Sequence, residues 1–132
     1  GCNPFLKIET IEKFIKTYIE SQHNGLFSVI EKQNYFWDQK GNMLNKWPKG
    51  QDLLNTKAVE KTYEAAHCLY ASSLELIEKG LWVGSWKKKN DPELFPVKEM
   101  ESFDIDHEWQ FILAENIFKL NDMDHSILTN HE

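Results

Sequence analysis

Arginine is missing from this chain: all fifteen basic side chains are lysines. The planar guanidinium is the preferred fork for carboxylate and phosphate, whereas lysine offers a mobile point charge. An anion bound here is therefore held by lysines, backbone N–H groups, a metal or groups outside the chain. A genome rich in A and T would produce the same bias, and that is the simpler cause. Glycine is sparse, six in all, and neither GxGxxG nor GxxxxGK[ST] occurs, so there is no Gly-rich phosphate loop. The two cysteines, Cys2 and Cys68, make no disulfide framework, and no CxxC or Cys/His spacing suggests zinc. Two reduced thiols fit a reducing compartment. No run is long and apolar enough for a membrane span, and no signal-peptide pattern opens the chain, so a cytoplasmic protein without a membrane role is expected. Acidic residues outnumber basic ones, and the formal net charge of −6 excludes a general nucleic-acid binder.

What is present is enough for a core. The 132 residues are 41% hydrophobic and 13% aromatic, which suits one packed domain or a piece of a larger one. The clearest helix is expected over residues 10–23, where Ile11, Phe14, Ile15, Tyr18 and Ile19 share one face. Thr10 is its expected N-cap and Gly25 its stop. Residues 26–30 read as a short buried strand. Residues 35–37 have strand propensity, 38–42 carry turn chemistry and 43–44 would return as a hairpin, with a loop at 47–50.

Residues 58–70 mix helix formers with a potential buried strand at 68–71. Ser72 to Glu75 resembles a capping box that starts a helix ending at Lys79, with Gly80 after it. Residues 81–83 are a strand candidate and 85–96 a lysine-rich loop, in which Lys87, Lys88 and Lys89 are read as solvated. The last helix is expected over 109–120, and the polar tail 121–132 is expected to fray. Strands and helices alternate, so the class is α/β.

The most informative stretch is Asp104-Ile105-Asp106. If it is extended, both carboxylates point to one side. Two carboxylates at the entry to a helix suit a hard cation such as Mg²⁺, which keeps waters and substrate phosphates in its other positions. The plainer reading makes Asp106 the N-cap of the following helix and Asp104 a solvated neighbour. His107, beside them, is read as a first-turn residue rather than a ligand.

Three stretches, read in order, resemble the C-terminal half of the acylneuraminate cytidylyltransferases, the CMP-sialic acid synthetases and their relatives. Asn3-Pro4-Phe5-Leu6-Lys7, followed by Glu9-Thr10-Ile11, resembles that family's substrate loop, S-P-[LF]-[RK], leading into a helix. Phe27-Ser28-Val29, Tyr35-Phe36-Trp37, Gln51-Asp52-Leu53 and Cys68-Leu69-Tyr70 resemble its middle region. Asp104-Ile105-Asp106, followed by Ala114-Glu115, is similar to its D-I-D-[TS]-x-x-D-[FW]-x-x-A-E signature. His107 stands where relatives have Thr or Ser, the later Asp is replaced around Trp109-Gln110, and Lys7 and Lys49 stand where arginine is frequent.

The resemblance implies a nucleotide-diphospho-sugar transferase-like, Rossmann-like sheet with flanking helices over residues 1–120, without its N-terminal nucleotide-binding part. It also implies a protruding arm at about 34–50 that reaches across a homodimer. It further implies Mg²⁺-dependent transfer of a cytidylyl group from CTP to a sugar acid, with release of pyrophosphate. Asp104 and Asp106 would be the catalytic and metal-holding pair. Asn3 and Lys7 would lie near nucleotide or sugar, and Gln51 and Tyr70 would line the sugar pocket. The rival expectation is a non-catalytic relative that only dimerises or binds a partner.

Overall fold

A computed structural model describes residues 2–123. In it the chain forms a small α/β domain with a three-stranded mixed sheet and flanking helices. The elements run α1 (Ile8–Glu20), β1 (Gly25–Lys32), β2 (Thr62–Ser72), α2 (Leu74–Glu78), β3 (Glu93–Val97), a 3₁₀ turn (Glu99–Ser102) and α3 (Glu108–Met123). The sheet order is β2-β1-β3, with β1 antiparallel to β2 and parallel to β3.

The central strand β1 explains the rest. Leu26 to Ile30 are all buried, as expected of a strand covered on both faces. Period-two geometry then sorts its side chains into two layers. Phe27 and Val29 pack with Val83 on one face, while Ile30 packs with Ala66 and Val97 on the other, joined by Cys68 and Phe95. Phe14 of α1 closes the second layer with its ring edge-on to Phe95, 5.2 Å between centroids. The expected helix is therefore real, but it spans Ile8–Glu20 rather than 10–23. Thr10 lies inside it and Lys7 is the N-cap. Gly25 is not its stop but the first residue of β1. The helix ends at Ser21, whose hydroxyl donates to Glu93 Oε2 at 2.5 Å and so ties the turn after α1 to β3.

The ambiguous stretch 58–70 resolves as strand from Thr62 onward, because β1 offers a full antiparallel edge. Ser73, not Ser72, caps α2: its hydroxyl accepts from Leu76 N–H, and Gly80 follows at φ +72°. Residues 81–83 are not a strand. They run beside the start of β1 so closely that a Cβ on Gly25 would sit 1.7 Å from the Val83 carbonyl oxygen. The loop expected over 85–96 hides β3, which carries Pro96; proline is tolerated in a strand that has a neighbour on one side only. Ahead of β3, Asp91 accepts from both the N–H and the hydroxyl of Ser85.

The hairpin at 35–44 forms, reduced to one bridge between Trp37 and Met43. Asp38 builds its turn by accepting from Lys40 and Asn42 N–H, each at 2.9 Å, and Gly41 takes φ +85° there. Tyr35 is buried beneath this hairpin, with the rings of Trp37 and Trp47 tilted against it, 6.5 and 5.8 Å between centroids. α3 is longer than expected; its Ala114 is buried and its Phe118 stacks on Phe5, while Trp109, Phe111 and Ile112 are at least half exposed. Of the polar tail expected to fray over 121–132, residues 121–123 instead continue α3, and the rest lies outside the described residues.

Gly25→Ala forces the Val83 carbonyl away from β1 and lowers unfolding stability by about 1–3 kcal/mol, read as the urea midpoint. The Ser85 hydroxyl and then its N–H hold the Asp91 carboxyl below the usual carboxylate range. The native state therefore binds that proton less tightly than the unfolded chain does. The resulting stabilisation is full above the usual carboxylate pKa of roughly 4 and is lost as pH falls through the lowered value. Ser85→Ala should lie below the parent in an unfolding series near neutral pH, with the gap closing under acid.

Candidate functional site

The N-terminal loop and the segment after β3 are a hundred residues apart in sequence and are stitched together. Cys2 N–H donates to Asp104 Oδ1 at 3.0 Å, and Ile105 N–H donates to the Cys2 carbonyl at 3.2 Å. The Asn3 amide donates to the carbonyls of Ser102 and Phe103 at 3.2 and 3.3 Å. Below them Phe5 packs on Phe103 and Phe118, 5.8 and 5.2 Å between centroids.

Glu101 holds the seam. It is only 4% exposed, and its Oε1 accepts from Lys7 N–H at 3.1 Å and from the Thr10 hydroxyl at 2.5 Å. A carboxylate at a helix N-terminus satisfies orphan N–H groups and complements the helix dipole. Here it comes from the 3₁₀ turn rather than from the residues before α1. Sequence reading missed it, because Glu101 is one glutamate among several and only the tertiary fold brings it to α1.

Of the two aspartates, Asp104 is half-buried and Asp106 exposed. They lie in irregular chain between the 3₁₀ turn and α3, not in a strand. Asp104 Oδ1 takes both Cys2 N–H and Ile105 N–H, the latter at 3.1 Å, and Oδ2 has no hydrogen bond among the described residues. Asp106 is not the helix cap. Gln110 reaches back, and its Oε1 accepts from the N–H of Asp106 and of His107, both at 2.7 Å. The His107 carbonyl takes the first bonds of α3, so His107 stands just before the helix rather than in its first turn. Both aspartates thus keep carboxylate oxygen available. No cluster of three or more His, Cys, Asp or Glu suited to a metal occurs among the described residues. A pair of carboxylates fits Mg²⁺, which takes the remainder of its shell from water and phosphate.

Tyr70 lies on β2 opposite Phe27. Its ring packs on Phe27 at 5.4 Å and on Trp82 at 4.6 Å, and its hydroxyl is 3.3 Å from His67 Nδ1. Burial first, then the nearby charges of Cys68 and Asp104, push that hydroxyl above its ordinary value. The local backbone is irregular: between Phe27 and Val29 the register slips, so residues 66–69 of β2 face Ser28 alone. Fully buried Ser28 fills the bulge, its Oγ accepting from Leu69 N–H at 3.0 Å and from the Cys68 thiol at 3.4 Å. His67, in the bulge, has φ +55°.

The structure thus brings Asn3, the Lys7 backbone and Asp104 to one seam, with Asp106 two residues beyond Asp104 in the chain, while Tyr70 stands on β2 against Phe27 and Trp82. Gln51 is elsewhere. It sits in the arm, where its carbonyl accepts from Trp47 Nε1 at 2.7 Å. The Lys7 and Lys98 side chains flank an apolar groove of about 550 Å³ lined by Phe5, Met100, Ile117 and Phe118. Compared with models of known protein families and with curated proteins, the chain matches none.

Glu101→Ala removes a buried carboxylate that accepts from the part-buried Lys7 N–H and the Thr10 hydroxyl, and should cost about 1–3 kcal/mol. Thermal unfolding measures the loss, and amide exchange should localise it to the first turn of α1. Glu101→Gln, which keeps an acceptor oxygen, should lose less; equal losses would mean that shape rather than hydrogen bonding matters there.

Proposed function

We propose that this chain is the C-terminal part of a cytidylyltransferase that activates a sialic-acid-like sugar acid with CTP and releases pyrophosphate. The observation that carries the reading is the seam. The loop Asn3-Pro4-Phe5-Leu6-Lys7 and the stretch Asp104-Ile105-Asp106, matched separately to one family's pattern, are held side by side by bonds at their margins: Cys2, just before the loop, donates to Asp104, and Asn3 donates to Ser102 and Phe103, just before the stretch. A chance set of short matches gives no reason for such convergence.

In this reading the fold is the second half of a nucleotide-diphospho-sugar transferase-like sheet, and the phosphate cradle comes from residues outside the chain. Attack of the sugar hydroxyl on the α-phosphorus needs positioning and neutralisation of charge. Asp104 and Asp106 would hold Mg²⁺, which when bound would supply Lewis acidity and a template for the phosphates. Asp104 is oriented for this by the two N–H groups on its Oδ1, which turn Oδ2 toward other partners. Lys7 offers a point charge to an anionic substrate, and Tyr70 a ring and a hydroxyl to the sugar. Asn3 acts by holding the loop, since its amide N–H groups are spent on Ser102 and Phe103. Gln51 reaches a sugar only if the arm carries it there, which suits an arm that serves a neighbouring subunit. The protein would work in the cytoplasm, where CTP is; no helix among the described residues is long and apolar enough to cross a membrane.

The second reading, a dimerisation or binding module without catalysis, is favoured by the arm itself. Trp37 and Trp47 are tilted against Tyr35 yet remain 49% and 43% exposed, as interface anchors are before association. The two readings part at Asp106. In the complete gene product Asp106→Asn should abolish Mg²⁺-dependent pyrophosphate release from CTP and leave the unfolding midpoint nearly unchanged, since the carboxylate makes no described bond. Turnover equal to the parent's would rule out the metal assignment.

A further inference from the structure

Around Tyr70 the strand carries a bulge and a left-handed residue that regular pairing with β1 does not require. A non-glycine residue with φ near +55° costs free energy, and such residues concentrate where a side chain must be aimed. His67 is that residue, raised out of register by the bulge that Ser28 fills. The bulge delivers the imidazole edge-on to Phe27, 6.0 Å between centroids, and within 3.3 Å of the Tyr70 hydroxyl. Were residues 66–69 paired regularly, residues 67 and 70 would point to opposite faces of β2, because their separation is odd. The extra residues break that alternation and bring both side chains to the Phe27 face.

The Tyr70 ring is already wedged between Phe27 and Trp82, so packing sets the ring plane but not the direction of the O–H bond. The imidazole supplies that direction. With Nδ1 unprotonated, Tyr70 donates to it and turns a hydroxyl lone pair outward; with Nδ1 protonated, the imidazole donates and the phenol proton points outward. His67 and Tyr70 are both exposed, so a ligand can meet the hydroxyl while the imidazole stays on its other side.

We propose that His67 is a positioning residue, which acts through Tyr70 by orienting its hydroxyl toward the sugar acid. The inference rests on the sugar-pocket reading of Tyr70 given above. It assigns His67 no contact with the reacting atoms. His67→Gly removes the ring at a backbone conformation that glycine adopts freely, and His67→Asn keeps a polar side chain that tolerates the left-handed region.

The test has two parts. In the chain itself, imidazole ¹⁵N spectra at constant pH should show the His67 Nδ1 resonance moving on Tyr70→Phe. An unmoved resonance overturns the pairing. In the complete gene product, with CTP, Mg²⁺ and a panel of eight- and nine-carbon sugar acids, His67→Gly should raise KM for the sugar acid about tenfold, as one lost hydrogen bond would. KM for CTP should stay within about twofold, and His67→Gly added to Tyr70→Phe should change little more, because both remove one interaction. Additive effects, or a KM for sugar acid unchanged by His67→Gly, overturn the positioning role. If the parent turns over none of the sugar acids, the role falls together with the proposed function. A moving Nδ1 resonance would then show that the functional reading, rather than the pairing, had failed.

Discussion

The buried carboxylate of Glu101 is the contact on which the candidate site depends. The 3₁₀ turn that carries it follows directly from β3, so Glu101 is positioned by the sheet. Its oxygen accepts from the first turn of α1, so α1 and the loop before it are positioned by Glu101. The alternative for the buried carboxylate is burial without a partner, which is costly enough to make the pairing obligatory. Once that bond is made, Asn3 and Cys2 fall beside Ser102, Phe103 and Asp104, and the remaining hydrogen bonds of the seam close almost as a consequence. Asp104 is thus both a structural acceptor and a candidate ligand, with its two oxygens divided between the roles.

The two faces of β1 have different characters. The face with Ile30, Ala66 and Val97 is aliphatic and capped by Phe14 and Phe95, an ordinary core layer. The face with Phe27 carries rings: His67, Tyr70 and Trp86 all meet the Phe27 ring, and Trp82 leans on Tyr70. Several of these rings remain substantially exposed, Trp82 at 60% and Trp86 at 54%. Aromatic groups with one face packed and one face open are suited to meeting a ligand or a second protein surface. Two left-handed non-glycine residues, His67 and Trp86, lie within this same cluster. Strain and exposure together mark it as the side of the sheet that is shaped for something beyond stability.

Legibility from the sequence varied with the range of the interaction. α1, β1, the cap and stop of α2 and the turn at Asp38–Asn42 are local events, set by side-chain period, by an Ser hydroxyl near its own N–H groups or by an Asp beside a Gly. These were readable to within a few residues. Asp104 and Asp106 were readable as a pair but not in their individual roles. Gln110 reaches back to the N–H groups of Asp106 and His107, and α3 starts at Glu108, one residue later than a cap at Asp106 requires. β3 was unreadable: its five residues include a proline and follow a lysine-rich loop, and they are extended because the free edge of β1 accepts them.

By itself the sequence determined the amphipathic helix, the apolar central strand, the turn chemistry and a pair of neighbouring carboxylates at a helix entry. Each depends on residues within about one turn or one strand of one another, where propensity and periodicity act directly. Only the tertiary structure decided which glutamate caps α1, that the N-terminal loop meets Asp104, and that His67 and Tyr70 share a face. Those outcomes are contacts between groups remote in sequence or displaced by a bulge. They follow from the need to pair every buried polar group once the core has closed, a condition that no local pattern encodes.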